Sequence, residues 1–186
     1  LDQWVLSVCE TMVMQVTAAL EAYDMVRAIA PIVEFIDTLN NWYIRRSRRR
    51  FWKSENDGDK DEAYATLNRV LTRLSLVAAP FIPFTTEAIY QNLRGKDMPE
   101  SVHLCDYPEY DEGRRDEELE WKMAAVRHAV SMGRALRNQY NLKTRQPLKA
   151  IHLVTKDAKE RAVLLEMKDI LTEELNVDRK STRLNS

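Results

Sequence analysis

Apolar residues recur at helical intervals along most of the chain. Leu1, Val5, Val8, Met12, Val16, Ala19 and Tyr23 are spaced three or four apart, which predicts a long amphipathic helix over residues 2–23. Asp24 marks a break and a candidate N-cap. A second long helix follows, with Ile29, Ile32, Val33, Ile36, Tyr43, Ile44 and Phe51 forming one broad apolar stripe. Pro31 falls in its early turns and predicts a kink if it lies past the first one. "KSENDGDK" reads as a polar turn, and Asp59 with Glu62 has capping-box spacing. Ala63, Leu67, Val70, Leu71, Leu74 and Val77 predict a third helix. "APFIPF" stops it, because proline lacks the helical N–H and restrains the residue before it. "TTEAIYQNL" is a short fourth helix with Gly95 at its end.

Residues 95–113 carry Pro99, Pro108 and Gly113 and little periodicity, and read as a linker with one short extended piece at 101–105. A fifth long helix is predicted over 115–140, with Leu119, Met123, Val126, Val130 and Leu136 on its apolar face. "LKTRQP" ends it. "LKAIHLVT" alternates and is β-branched enough for a strand. Asp157 can cap a last helix carrying Val163, Leu164, Met167, Ile170, Leu171 and Leu175. The predicted fold is mainly α. An antiparallel helix bundle spans 1–94, a linker 95–113, a small helix-strand-helix α/β module 114–177, and an aperiodic tail 178–186. One strand is not a sheet, so the α/β module is expected to be truncated or to take strands from elsewhere.

Composition narrows the class. The 186 residues are 45% hydrophobic, with 4 glycines and 6 prolines, which suits long helices in a globular protein. No apolar run approaches the length of a membrane span, so no membrane partner is expected. The N-terminus lacks the basic and apolar regions of a signal peptide, starts without methionine and already reads as helix, as a piece of a longer chain would. Cys9 and Cys105 are distant in sequence, which favours a reduced, cytoplasmic setting. There is no CxxC, and His103, His128 and His152 are scattered, so no metal site is predicted.

The net charge of -1 hides segregation. Residues 27–53 hold seven Lys/Arg against two Asp/Glu; 100–120 hold two against nine; 122–149 hold seven against none. The densest run is "NNWYIRRSRRRFW" from Asn40, with five arginines in six residues between aromatic pairs. On a wheel of about 100° per residue, Arg45, Arg48, Arg49 and Trp52 fall opposite the apolar stripe, and Trp42 lies close to them. Arginine's planar fork matches phosphate, and a displayed ring stacks on an unpaired base. Single-stranded RNA loops are recognised by that combination. The alternatives are a solvated face pairing with the acidic stretch 100–120, and a helical protein-interaction module. In the second basic region, Lys143 and Arg145 sit in a turn within reach of a phosphate backbone, or serve as cations near a helix end. No phosphate loop, metal motif or nucleophile triad is visible, so no catalytic residue is assigned.

At "LNNWYIRRSRRRFW" the chain resembles isoleucyl-tRNA synthetases, class I aminoacyl-tRNA ligases. "LDQWVLS", "ALEAYD", "LVAAPFIPFTTEAIYQNL", "SVHLCDYP", "ALRNQYNLKTRQPL" and "LTEELNV" resemble further family segments in order, over about residues 1–177. Valine and leucine enzymes share the bundle, and the equivalent bundle of a valine, leucine or methionine enzyme is an alternative; "NWYIRRSRRRFW" with "NLKTRQPL" points to isoleucine. The resemblance implies the class I anticodon-binding bundle followed by a junction module. It implies isoleucine-specific tRNA and the catalytic domain of the same enzyme as partners. It also implies ATP with magnesium for the whole enzyme and no cofactor in this part. The HIGH-like and KMSKS-like signatures, the editing domain and the helix that normally precedes "LDQW" are absent, so the chain alone is expected to be inactive in aminoacylation. In the related methionine enzymes an aromatic near the end of the equivalent helix stacks on an anticodon base. By that resemblance Trp52 and Arg50 are the first anticodon candidates, followed by Asn41, Arg45, Arg48 and Arg49. "DRKSTRLNS" departs from the family and reads as a truncated or artefactual end.

Overall fold

The computed structural model describes residues 1–52 and 58–177, and 183–185 for the backbone alone. The first five residues of the "KSENDGDK" turn, 53–57, thus lie outside the described residues. α1 (Asp2–Glu21) buries Trp4, Val5, Cys9, Met12, Val13, Val16 and Ala19. It ends at Tyr23, which takes the left-handed conformation (φ 58°) usually left to glycine. Asp24 N donates back to the Ala19 carbonyl at 2.9 Å, closing the helix. Tyr23 therefore lies beyond the helix and is exposed, not part of its apolar stripe.

Asp24 caps α2 (Met25–Thr38), accepting from Arg27 N at 2.9 Å. Pro31 stands inside this helix, where it leaves the Arg27 carbonyl without its helical donor. The helix does not stay regular to residue 52. Leu39–Ile44 form a π-helical turn, and α3 (Arg45–Trp52) continues from it. The inner side of this composite helix is Ala28, Ile32, Phe35, Leu39, Tyr43 and Ser47. That corrects the expected stripe. Ile32 and Tyr43 are buried, but Ile29, Val33 and Ile36 are exposed, Val33 to 59%.

α4 (Gly58–Ala78) and α5 (Pro83–Leu93) complete the helices of the first unit, residues 1–116. α1 packs on α2 and α4, and α4 on α5. Asp59 falls inside the first turn of α4 and does not cap it; its carboxylate pairs with Arg50 instead. Each large side chain buried in this core, such as Trp4, Phe35, Tyr43 and Tyr90, contributes about 1.5–3 kcal/mol.

Residues 95–113 run along the bundle. The expected extended piece at 101–105 is a 3-10 turn, Val102–Leu104. Its amides are satisfied without a neighbouring strand: Val102 N donates to Glu87 Oε2 at 2.9 Å, as the Ser101 hydroxyl also does, His103 N to Ser101 Oγ at 3.2 Å and Leu104 N to the Ser101 carbonyl at 3.1 Å. Tyr90 Oη donates to the Pro99 carbonyl at 3.0 Å. Further on, Glu10, 2% exposed, accepts from Arg73 Nη2 at 2.6 Å and Asp111 N at 3.1 Å. Arg115 Nε donates to Thr11 Oγ1 at 3.0 Å, and Asp116 N to Ser7 Oγ at 2.8 Å. Ser7, Glu10 and Thr11 share a helical face, so α1's polar side is covered by its own downstream chain.

The second unit, residues 117–186, is built on α6 (Glu117–Gln139). α7 (Ala158–Glu166) and α8 (Lys168–Leu175) pack on it. The inner stripe of α6 is Met123, Val126, Val130, Gly133 and Arg137, while Leu136, expected on the apolar face, is exposed. The single last helix expected after Asp157 is broken at Met167 (φ -100°, ψ 20°). Unbroken, it would hold Val163 and Leu175 about 120° apart; the break lets α7 and α8 both face α6. Asp157 caps α7, accepting from Lys159 N at 2.8 Å. β1 (His152–Val154) is shorter than expected and pairs in parallel with β2 (Arg183–Asn185), so the tail read as aperiodic supplies a strand. Among the described residues no helix is long and apolar enough to cross a membrane.

A Cβ at Gly133 would meet both Leu175 methyl carbons at 2.7 Å, and Leu175 is buried. Gly133→Ala is expected to destabilise the second unit by about 1–3 kcal/mol through overpacking, read as a lower denaturation midpoint. Combining it with Leu175→Ala should give less than the sum of the two single losses.

Candidate nucleic-acid interface

The π turn sets what α3 presents. Arg45 N donates to the Asn40 carbonyl five residues back, the mark of one residue more per turn than in an α-helix. The extra residue rotates everything after it by roughly 100° relative to an unbroken α-helix. Ser47 is thereby buried and Phe51 half-buried on the inner side, while Arg45, Arg48, Arg49 and Trp52 are exposed.

Trp52 is 77% exposed. The Arg48 guanidinium lies over its ring, 5.4 Å from the centroid, a cation–π contact that steadies both groups while leaving them accessible. Arg45, Arg48 and Arg49 are exposed. Arg45 Nε donates to the Asn41 carbonyl at 2.8 Å, and the Asn41 amide donates to Asp37 Oδ1 at 2.6 Å. Asn41 is thus on the exposed side, one turn before the cations. Trp42 differs from its sequence-based placement. It is 7% exposed and belongs to the core, next to the buried Tyr43.

Arg50 is differently employed. Its Nη1 and Nη2 donate to Asp2 Oδ1 and Oδ2, both at 2.7 Å, a bidentate pair. Its Nε lies 2.7 Å from Asp59 Oδ1. Tyr43 Oη donates to Asp2 Oδ1 at 2.8 Å. Phe51 stands edge-on to Tyr43 and Tyr64, at 6.4 and 5.2 Å between centroids. Arg50 therefore ties the end of α3 to the starts of α1 and α4. The Arg50 guanidinium, chiefly, holds the Asp2 carboxyl below its ordinary range. Burial, chiefly, pushes the Tyr43 phenol up, with Asp2 adding to it. Asp2, Asp59 and Tyr43 carry no local signal for this role, since 48 residues separate Asp2 from Arg50.

Lys143 and Arg145 belong to the second unit, in an exposed turn between α6 and β1. Arg137, on the inner stripe of α6, donates to the Lys143 carbonyl at 2.8 Å. No group of three or more metal-ligating side chains occurs among the described residues.

A displayed ring and the cations beside it thus stand on a helical frame. The family model described as the anticodon-binding domain of tRNA ligase matches residues 2–152, and the chain belongs to that family. It is 63% identical over 177 residues to an isoleucine–tRNA ligase of Treponema denticola, covering 95% of this chain and 16% of that protein. Isoleucine–tRNA ligases of Treponema pallidum (strain Nichols) and Protochlamydia amoebophila are 54% and 48% identical, again over 95% of this chain and 16–17% of their own length. The chain thus spans about one sixth of the curated relatives it matches.

Asp2→Asn is expected to lower stability at neutral pH by about 2 kcal/mol, the scale of charge-assisted hydrogen bonds with one partner left behind. The folded-state pKa of Asp2 is depressed, so its contribution is complete above the unfolded value of about 3.9 and is lost as pH falls through the folded value. Melting curves recorded from neutral to acid pH should show the gap between variant and parent closing only below that unfolded value.

Proposed function

We propose that this chain is the anticodon-binding part of an isoleucine-specific tRNA ligase, and that α3 contacts the anticodon stem-loop. The supporting observation is Trp52, exposed at the end of a cationic helix with Arg48 across its ring. Arg45, Arg48 and Arg49 hold phosphates; Trp52 stacks on a base; Asn41 lies one turn earlier on the same side. Trp42 and Arg50 support this surface from within, one through the core and the other through Asp2 and Asp59. Phosphate contacts give affinity and register, while base contacts give sequence choice. The close relatives named isoleucine–tRNA ligase favour isoleucine tRNA over that of a sister enzyme. Charging tRNA with isoleucine, using ATP with magnesium, belongs to the whole ligase, whose catalytic domain is the partner of this part in a cytoplasmic enzyme. This part alone supplies no catalytic group and performs no aminoacylation.

A protein-docking reading has one observation of its own: Met25, Val26, Ile29, Val33 and Ile36 are exposed along α2. A partner held there would bind without RNA and would be insensitive to salt.

Filter binding with isoleucine tRNA should show affinity falling steeply with salt, as expected from counterion release. Trp52→Ala is expected to weaken binding by roughly 1–3 kcal/mol and to reduce the discrimination against a tRNA with a swapped anticodon. Binding indifferent to both changes would remove α3 from anticodon reading.

A further inference from the structure

We infer that the turn Lys143–Gln146 is a preformed phosphate contact, held in shape by Arg137 and Asn176 as positioning residues. The inference rests on the tRNA-binding reading above and extends it to the second unit. All four carbonyls of the turn are occupied from beneath. Arg137, 3% exposed, donates through Nη1 to the Lys143 carbonyl at 2.8 Å and through Nη2 to the Gln146 carbonyl at 3.0 Å. Asn176 Nδ2 donates to the Arg145 carbonyl at 2.9 Å and the Thr144 carbonyl at 3.4 Å. Gln146 N also donates to the Lys143 carbonyl at 2.9 Å, closing the turn.

The clamp is itself fixed. Arg137 Nη2 also reaches the carbonyls of Leu175 and Asn176, at the end of α8. Asn176 stands in the left-handed conformation (φ 49°, ψ 58°) that ends α8, and its carbonyl accepts from Leu148 N at 3.0 Å. A buried guanidinium is costly to desolvate unless it is hydrogen-bonded, and here both terminal nitrogens donate to carbonyls.

The consequence is chemical. The turn's partial negative charges are drawn inward and neutralised by hydrogen bonds. Lys143, Thr144, Arg145 and Gln146 are left exposed, with two full positive charges and two neutral donors. Such a surface suits a phosphodiester backbone, contacted by charge and without base reading. Because the backbone is ordered in advance, less freedom is lost on contact.

The test is filter binding of the full 186-residue chain with isoleucine tRNA over a series of salt concentrations. Lys143→Ala/Arg145→Ala leaves the clamp intact. It is expected to reduce the slope of log affinity against log salt by about 2 and to weaken cognate and anticodon-swapped tRNA equally. Asn176→Gly keeps every charge and suits the left-handed backbone, but removes the two amide bonds. It is expected to weaken binding roughly three- to tenfold, as when two flexible side chains must be ordered on contact, with near-ultraviolet circular dichroism unchanged. An unchanged slope in the double variant overturns the phosphate contact. Unchanged affinity in Asn176→Gly overturns the positioning role. If the parent chain binds tRNA in a Trp52-dependent way while both turn variants match it, the anticodon reading stands and this inference alone falls; no binding by the parent chain overturns both.

Discussion

The phase of the composite helix from Met25 to Trp52 governs the first unit. A helix can bury only the side its periodicity brings round, and one extra residue in a π turn moves that side by roughly 100°. Leu39–Ile44 make this shift where the helix stops burying aliphatic side chains and starts carrying arginine. Without it, Ser47 and Phe51 would drift from the core. With it, the outward side is apolar along α2 and cationic along α3, and the two halves share one continuous inner side.

Three ionic anchors then fix backbone, each through a cation on one element and acceptors on another. Arg50 joins α3 to Asp2 of α1 and Asp59 of α4. Arg73 on α4 and Glu10 on α1 hold the chain at 109–111. Arg137 holds the turn after α6. In each case removal of one partner leaves a shielded polar group unpaired, and that penalty, more than the attraction itself, makes the arrangement specific. The arginines sunk into the protein thus organise chain, while Arg45, Arg48 and Arg49 are displayed on α3.

Much of the fold was legible because it is written in local periodicity and caps. Helices, the stop at "APFIPF" and the caps Asp24 and Asp157 all follow from short-range rules. The faces were less legible. Ile29, Val33 and Ile36 make as good an apolar stripe as Ile32, Phe35 and Leu39, and only the neighbouring helices decide which is covered. The π turn has no composition cue, and Trp42 and Trp52, which a regular wheel puts on one side, are divided: Trp52 is outside and Trp42 inside. Arg50 was indistinguishable from Arg48 and Arg49 in sequence, because its partner Asp2 lies 48 residues away. For the same reason the bonds of Asn176 to the turn at 143–146, 31 and 32 residues away, carry no local signal. The relation of Lys143 and Arg145 to a polyanion was visible as charge, whereas the inward carbonyls beneath them were not.

The placement of the four tryptophans has an optical consequence. Trp4 and Trp42 are enclosed in the core of the first unit, and Trp121 in the second is half-buried under the Lys159 ammonium, 4.5 Å from its ring centroid. Trp52 alone among them is open to water. Native emission should therefore comprise a blue-shifted, shielded population and one red-shifted indole reachable by small dissolved quenchers. The residue assigned to base stacking doubles as the chain's own light-emitting reporter, and an RNA base laid on it would darken the accessible fraction while leaving the rest of the spectrum in place.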